Sequence, residues 1–301
     1  MDYDLYHDES KVDGYWHGIL FIPTSRRQEL LKLLLEARNN FSFQDPITFK
    51  GLKSKGKKFY LIRSWLSIAT MSFVQYRKNK TMPYYTGKIL FKSYRRSLEL
   101  KDHNSVIGCK FVLFRVLDDH KNFNNEWLIE YASKVETTLR MAIKGGVHLL
   151  GGKNNPIHIK SLHLDGYEHY QRNIDPDRIF SKLSNLRDYC SISNEVYIDD
   201  RTGNHSKNDC QEFTDCQFLQ LTDILVGSFR TILGTSTTNH QAQVSEPIRC
   251  LAERFFEGPA RMRNSRYYKG YSFSQAVIEN GKWEYPQFQM QMVDNNLSLF
   301  D

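Results

Sequence analysis

The chain opens on a short apolar run with interspersed acids, Tyr3 to Asp8, and after a turn over Ser10 to Gly14 a second apolar run, Tyr15 to Ile22, returns and is ended by Pro23. Two strand-length runs joined by a turn containing glycine predict a β-hairpin. Thr24 or Ser25 can cap a helix through Arg38, because Leu30, Leu31, Leu34 and Leu35 recur at helical spacing with Glu29 in the first turns, and Asn39 and Asn40 stop it. The segment ITFKG, Ile47 to Gly51, predicts a short strand, and Phe59 to Arg77 a second helix with one aromatic and aliphatic face. Val106 to Leu117, rich in β-branched and aromatic residues, predicts a buried strand. A helix follows from Asn124 or Asn125 to about Ala142, closed by Gly145 and Gly146.

Further along, Ile157 to Leu164 predicts a strand, Asp175 to Tyr189 a helix with Pro176 in its first turn, and Glu195 to Ile198 a short strand. Gly203 to Asp215 is polar enough to be a long connection, and Phe218 to Arg230 is an apolar helix with one acid, Asp223, set into it. Strands alternating with helices after an opening hairpin predict an α/β fold with a mixed sheet. Residues 1–233 form the expected domain, with an insertion around 41–105, and 234–301 a C-terminal extension that turns polar and then basic and aromatic.

Composition narrows the class of protein. With 40% hydrophobic and 13% aromatic residues, 301 residues can bury a full core, so the sequence is that of a globular protein and not a disordered chain. Lys and Arg outnumber acids 41 to 34, for a net charge of +7, which suits a polyanionic partner without requiring one. The strongly apolar windows, such as Leu30 to Leu35, are far shorter than the roughly 20 residues a membrane span needs. The acidic start MDYDLYHDES lacks the basic-then-apolar order of a secretory signal, and Cys109, Cys190, Cys210, Cys216 and Cys250 lack paired spacing. Both features predict a cytoplasmic protein with reduced thiols.

The chemistry lies in acids at unusual places. A lone carboxylate buried on an apolar helix is costly, so Asp223 needs a cation or a metal. Asp8, in Tyr6-His7-Asp8-Glu9-Ser10, stands at the exit of the first strand, and Asp165, in Leu162-His163-Leu164-Asp165-Gly166, at the end of another. Acids from two strand ends and a helix are what an oxygen-rich site for Mg²⁺ or Mn²⁺ requires. Glu9 alternates with Asp8 and so faces away unless the strand has ended, while Asp199 and Asp200 are further candidates for a fourth ligand. Each acid alone is explained as well by a turn or an ion pair.

The segments YHDES, GILFIP, ITFKGLK and, above all, DCQFLQLTDILVG resemble the domain-of-unknown-function family 3800, whose members open with an IDESG-like strand and carry a late LQLADLIAG-like helix. The resemblance implies a ribonuclease H-like fold, with acids of the first strand, a middle strand and the late helix gathered around divalent metal. By position these are Asp8, Asp165 and Asp223. The family's glycine after Asp-Glu-Ser is Lys11 here, and Lys50 stands near where a further acid is often found. Two metals held by carboxylates can activate water and steady the leaving oxygen at phosphorus, so the expected activity is that of a metal-dependent nuclease.

Nucleic acid is the expected partner, and a second copy or a partner protein is left open. Lys53, Lys55, Lys57 and Lys58 can neutralise phosphates, and Arg261, Arg263, Tyr267, Tyr268 and Tyr271 combine charge with rings on which unpaired bases stack. Solvated charge explains either run alone. His163 and His169 flank Asp165 and can order water or protonate a leaving group. His205, Cys210 and Cys216 invite a zinc reading but have irregular spacing. The rival readings are a nucleic-acid-binding or assembly module whose acids have become structural, and a hydrolase of nucleotides or other phosphoesters.

Overall fold

The structure is a computed structural model that describes residues 1–73, 107–117, 131–165, 175–183, 186, 188–193, 195–199, 205, 210–234, 238–249, 252, 270–279 and 282–286. The hairpin forms as the pattern predicts, with β1 (Asp2–Ser10) antiparallel to β2 (Tyr15–Pro23). It is followed by α1 (Arg27–Phe41), α2 (Lys57–Phe73), β3 (Lys110–Val116), α3 (Tyr131–Leu150), β4 (Ile157–Asp165) and α4 (Pro176–Leu183). Then come β5 (Cys190–Ile192), β6 (Val196–Asp199), α5 (Cys210–Ile232), α6 (Asn239–Val244), β7 (Tyr271–Glu279) and β8 (Lys282–Glu284).

These strands make one mixed sheet in the order β5-β4-β1-β2-β3-β7-β8, with β6 also paired to β4. The pairs β1–β2, β2–β3 and β7–β8 are antiparallel, and β1–β4, β4–β5, β4–β6 and β3–β7 are parallel. Strand β2 is buried along its whole length, so its alternate side chains feed two cores. Trp16, Leu20 and Ile22 join the apolar faces of α1, α2 and α5 on one side, while Ile19 and Phe21 join Val135, Leu139 and Ile143 of α3 and Ile179 and Leu183 of α4 on the other. The C-terminal residues contribute β7 and β8 to the sheet, which places Tyr271 in the core beside Phe229 rather than on a nucleic-acid surface.

Five sequence expectations need correction. Neither Thr24 nor Ser25 caps α1, which begins at Arg27, and Asn39 and Asn40 do not stop it, since it runs to Phe41. Residues 47–51 are not a strand, because side chains instead of a neighbouring strand take up their amides. The helix expected from Asp175 to Tyr189 ends at Leu183. Gly145 and Gly146 do not close α3, which runs through them to Leu150. A Cβ on Gly146 would meet Val112 Cγ2 at 2.6 Å, so this glycine serves helix-to-sheet approach and not a cap. Finally, α5 begins at Cys210, inside the stretch that reads as a polar connection, because the polar residues of its first turns find buried partners. The start expected for α3 at Asn124 lies outside the described residues.

Gly18, paired with Asp8 across the hairpin, is the matching device on the α5 side, since a Cβ there would meet Val226 Cγ2 at 2.0 Å. Gly18→Ala should therefore push α5 off the sheet, destabilising the protein by about 1–3 kcal/mol, as a lower urea midpoint at unchanged slope.

On the opposite face lies a buried histidine pair. Thr138 donates to the Lys134 carbonyl, so His17 Nε2 donates to Thr138 Oγ1 (2.7 Å) and His17 Nδ1 accepts from His7 Nε2 (2.8 Å). His7 Nδ1 has no hydrogen-bond partner among the described residues. That chain of donors requires His17 to be neutral, since its Nδ1 accepts, and burial keeps His7 neutral as well, pushing it down to about 3 and His17 well below its usual range. The unfolded chain takes up these protons below about pH 6.5 and the folded one does not, so stability is lost as pH falls from about 6.5 toward 3. Each histidine should contribute up to about 1.4 kcal/mol per pH unit in that window, and denaturant titrations between pH 7 and 4 should show a shallower fall for His17→Gln than for the wild type.

Candidate functional site

Strand alternation sets out the site. Asp4, Tyr6, Asp8 and Ser10 of β1 face α5, as shown by the Tyr6 hydroxyl donating to Asp215 (2.7 Å) and Arg230 donating to Ser10 Oγ (2.8 Å). On β4 the residues of the same face are Ser161, His163 and Asp165, since Ser161 donates to Asp4 (3.0 Å) and the His163 ring stacks on Tyr6 at 4.8 Å. The parallel register pairs His7 with Leu164, so Asp8 and Asp165 come next, at neighbouring strand ends. Asp199 of β6 is in register with Asp165 and carries the row across a third strand.

Asp223 reaches this end from α5. Its Oδ2 accepts the Phe49 amide at 2.7 Å, which ties down the segment that follows α1. That segment is held as a strap along α5. Gln220 accepts the Ile47 amide (2.9 Å), and Arg38 donates to the Asp45 carbonyl (2.8 Å) and to the side-chain carbonyls of Gln217 (2.8 Å) and Gln220 (2.7 Å). Gly227 permits the close approach, because a Cβ there would meet the Phe49 ring at 2.2 Å. Arg38 is buried, with its guanidinium 4.8 Å over the Trp65 ring, and burial pushes it down to about 10.

Two cations attend the acids. Burial lowers Arg230 below its usual range, and the carboxylates of Asp13, Asp223 and Asp8 pull it back up. Half-buried Lys58 is likewise lowered by burial and raised by Asp223. The structure thus sets Asp8 and Asp165 on one face of neighbouring strands, with Arg230 bonded to Ser10 two residues beyond Asp8. Among the described residues, however, no three His, Cys, Asp or Glu side chains lie close enough together to hold a metal ion. The carboxylate chemistry fits Mg²⁺ or Mn²⁺.

The remaining sequence candidates divide. Glu9 faces the other side of the sheet, where it accepts from Tyr15 and pairs with Lys11 (3.2 Å). Asp199 is 2.6 Å from His163 Nδ1, and the zinc reading fails at His205 and Cys216 among the described residues. His205 bonds the Gln44 carbonyl and the Gln217 and Gln220 amides, and Gln220 donates to Cys216. Lys53 and Lys55 are exposed on the loop leading into α2, and Lys57 is exposed at its first residue. Asp200, His169, Arg261, Arg263, Tyr267 and Tyr268 lie outside the described residues.

Sequence reasoning missed Asp4, Asp215 and Arg27. Asp215 pairs with Arg27, accepts from Tyr6 and from Gln211 (3.0 Å), and lies 3.8 Å from His163 Nε2. Burial and Asp215 together raise the Tyr6 hydroxyl well above its usual range. Because Ser161 donates to Asp4, its oxygen accepts from His163, and both nitrogens of that ring face acceptors. Asp4 Oδ2 is buried without a hydrogen-bond partner among the described residues. The signal was present in the alternation, for Asp4, Tyr6 and Asp8 all fall on one face of a strand that is buried on both sides. No protein-family model, curated protein or solved structure matches the chain.

Arg38→Met should leave several buried carbonyls short of a donor and loosen the strap. A stability loss of about 2–4 kcal/mol is expected. Limited proteolysis should show new cleavage within residues 43–50 before global unfolding, and equal protection in both proteins would remove Arg38 as the strap's anchor.

Proposed function

We propose that this chain is a metal-dependent nuclease of ribonuclease H-like fold, related to the domain-of-unknown-function family 3800. The observation that carries the reading is the arrangement of β1, β4 and α5. Asp8, near the end of β1, and Asp165, at the end of the adjacent parallel β4, lie on one face, and Arg230 of the helix across that face, lowered by burial, is raised by the carboxylates of Asp13, Asp223 and Asp8. The strand order β3-β2-β1-β4, with an antiparallel first sheet half and a parallel step from β1 to β4, supports the fold assignment.

In this reading Asp8, Asp165 and Asp223 are the ligands, and the metal supplies water activation and charge neutralisation at phosphorus. Asp223 is held in place from outside by the Phe49 amide, so its carboxylate is positioned by the strap. Lys58, beside Asp223, and the exposed Lys53, Lys55 and Lys57 offer positive charge to a phosphate backbone that the acids would otherwise repel. A second reading, a nucleic-acid-binding or assembly module, is favoured by one observation: among the described residues no three acids, histidines or cysteines are grouped to hold a metal ion.

Labelled single- and double-stranded DNA and RNA incubated with Mg²⁺, Mn²⁺ or EDTA separate the two. A nuclease should cut at least one substrate only with metal, and Asp8→Asn or Asp223→Asn should lower the rate by a factor of about 100 or more. Asn at 223 keeps an acceptor for Phe49 but gives up the negative charge that raises Arg230 and Lys58, so a modest drop in melting temperature should accompany the loss. Binding that survives EDTA, with no cleavage of any substrate, would leave the module reading.

A further inference from the structure

The strap over residues 43–50 is joined to α5 through His205 as well as through Arg38. His205 is half-buried between the two, its ring 5.8 Å from that of Phe213. Its Nε2 is bonded to the Gln44 carbonyl, and its Nδ1 lies 3.1 Å from the side-chain nitrogen of Gln217 and 3.2 Å from that of Gln220. The roles in this bridge are fixed from outside it. Arg38 donates to both side-chain oxygens, at 2.8 Å to Gln217 and 2.7 Å to Gln220, and the Ile47 amide donates to Gln220 as well (2.9 Å). A guanidinium and a backbone N–H can only donate, so both glutamine oxygens are turned to them and both NH₂ groups to the imidazole.

One arrangement of His205 satisfies every partner: a proton on Nε2 for the Gln44 carbonyl and a lone pair on Nδ1 for the two amides. A second proton would make Nδ1 a donor facing donors and cost the ring both of its bonds to α5. Of the charged groups around the ring, Arg38 of α1 disfavours the imidazolium and Asp45 of the strap favours it, while α5 presents the uncharged amides of Gln217 and Gln220 and the Cys216 thiol, which accepts from Gln220. Burial is the largest influence and lowers His205 below its ordinary range. The latched form therefore resists a proton that the released form takes up below about pH 6.5, so the bridge is complete above that pH and is lost as pH falls.

We propose that His205 is a pH-sensitive latch on the strap: neutral, it ties Gln44 to Gln217 and Gln220, and on protonation it loosens the hold of α5 on residues 43–50. Arg38, pushed down only to about 10, keeps its charge through this change and remains the permanent anchor. The strap also brings the Phe49 amide to Asp223, so loosening it frees that carboxylate. What this does to activity rests on the nuclease reading above, whereas the latch itself rests on the hydrogen bonds alone.

The test is amide hydrogen exchange of the full chain between about pH 7.5 and 5.5, read as protection factors so that the intrinsic pH dependence of exchange is divided out. A peptide covering 43–50 reports the strap, and one from β2 reports opening of the whole molecule, including the part that His7 and His17 contribute. In the wild type, strap protection relative to β2 should fall by up to about tenfold over this range. H205Q, whose amide can donate to Gln44 and accept from the glutamines but does not titrate, should keep a flat ratio. H205L should show a lowered ratio already at the upper pH. An equal fall in H205Q and the wild type, a flat ratio in the wild type, or full strap protection in H205L would each overturn the latch. If H205L does not fold, the wild-type and H205Q titrations decide. Cleavage of nucleic acid enters none of these readouts, so the latch can stand or fall apart from the nuclease reading.

Discussion

The close approach of α5 to the sheet is the constraint from which the rest of the structure follows. A long helix laid over β1 and β2 must bury whatever its inner stripe carries, and here that stripe holds Asp215, Gln217, Gln220 and Asp223 as well as Phe218, Ile224 and Leu225. Gly18 lets the backbone come close enough for Val226 to touch the sheet. At that distance water is excluded, so each polar group needs a partner inside the protein. Asp215 takes Arg27 and Tyr6, Gln217 and Gln220 take Arg38, and Asp223 takes the Phe49 amide.

The strap is the outcome of that requirement. Residues 43–50 have no neighbouring strand, yet their backbone groups are met by Arg38, Gln220, Asp223 and Gln241 from helices. Arg38 does this with amide and backbone carbonyl oxygens as its acceptors, and no carboxylate accepts from it among the described residues. Its charge is spread over four oxygens and the face of Trp65, which suits a planar, weakly hydrated guanidinium better than an ammonium. Asp223 fixes the strap through one oxygen, and its charge raises both Arg230 and Lys58, which burial lowers.

The two faces of β1 differ in how they handle polar groups. On the α5 face, Asp4, Asp8, Asp215 and Asp199 gather around Arg27, His163 and Arg230, a network rich in charge. On the α3 face, His7 and His17 pass hydrogen bonds to Thr138 as neutral rings.

Read alone, the sequence determined whatever depends on local periodicity. The opening hairpin, the two-faced strands, the apolar stripes of α1 and α5, and the prominence of Asp8 and Asp223 all follow from spacing along a single element. Alternation likewise assigned Glu9 to the face away from Asp8. What only the tertiary structure decided is what each polar residue meets. Tyr6 and Asp215 are 209 residues apart and Ser10 and Arg230 are 220, so no local pattern could pair them. The same holds for Gly146, which looks like a helix terminator until Val112 is seen beneath it, and for ITFKG, which looks like a strand until side chains of α1 and α5 are found in place of a neighbouring one. Period is a property of one segment's backbone, whereas partnership is set by register and by the distance at which a helix docks, and both arise only when the sheet is complete.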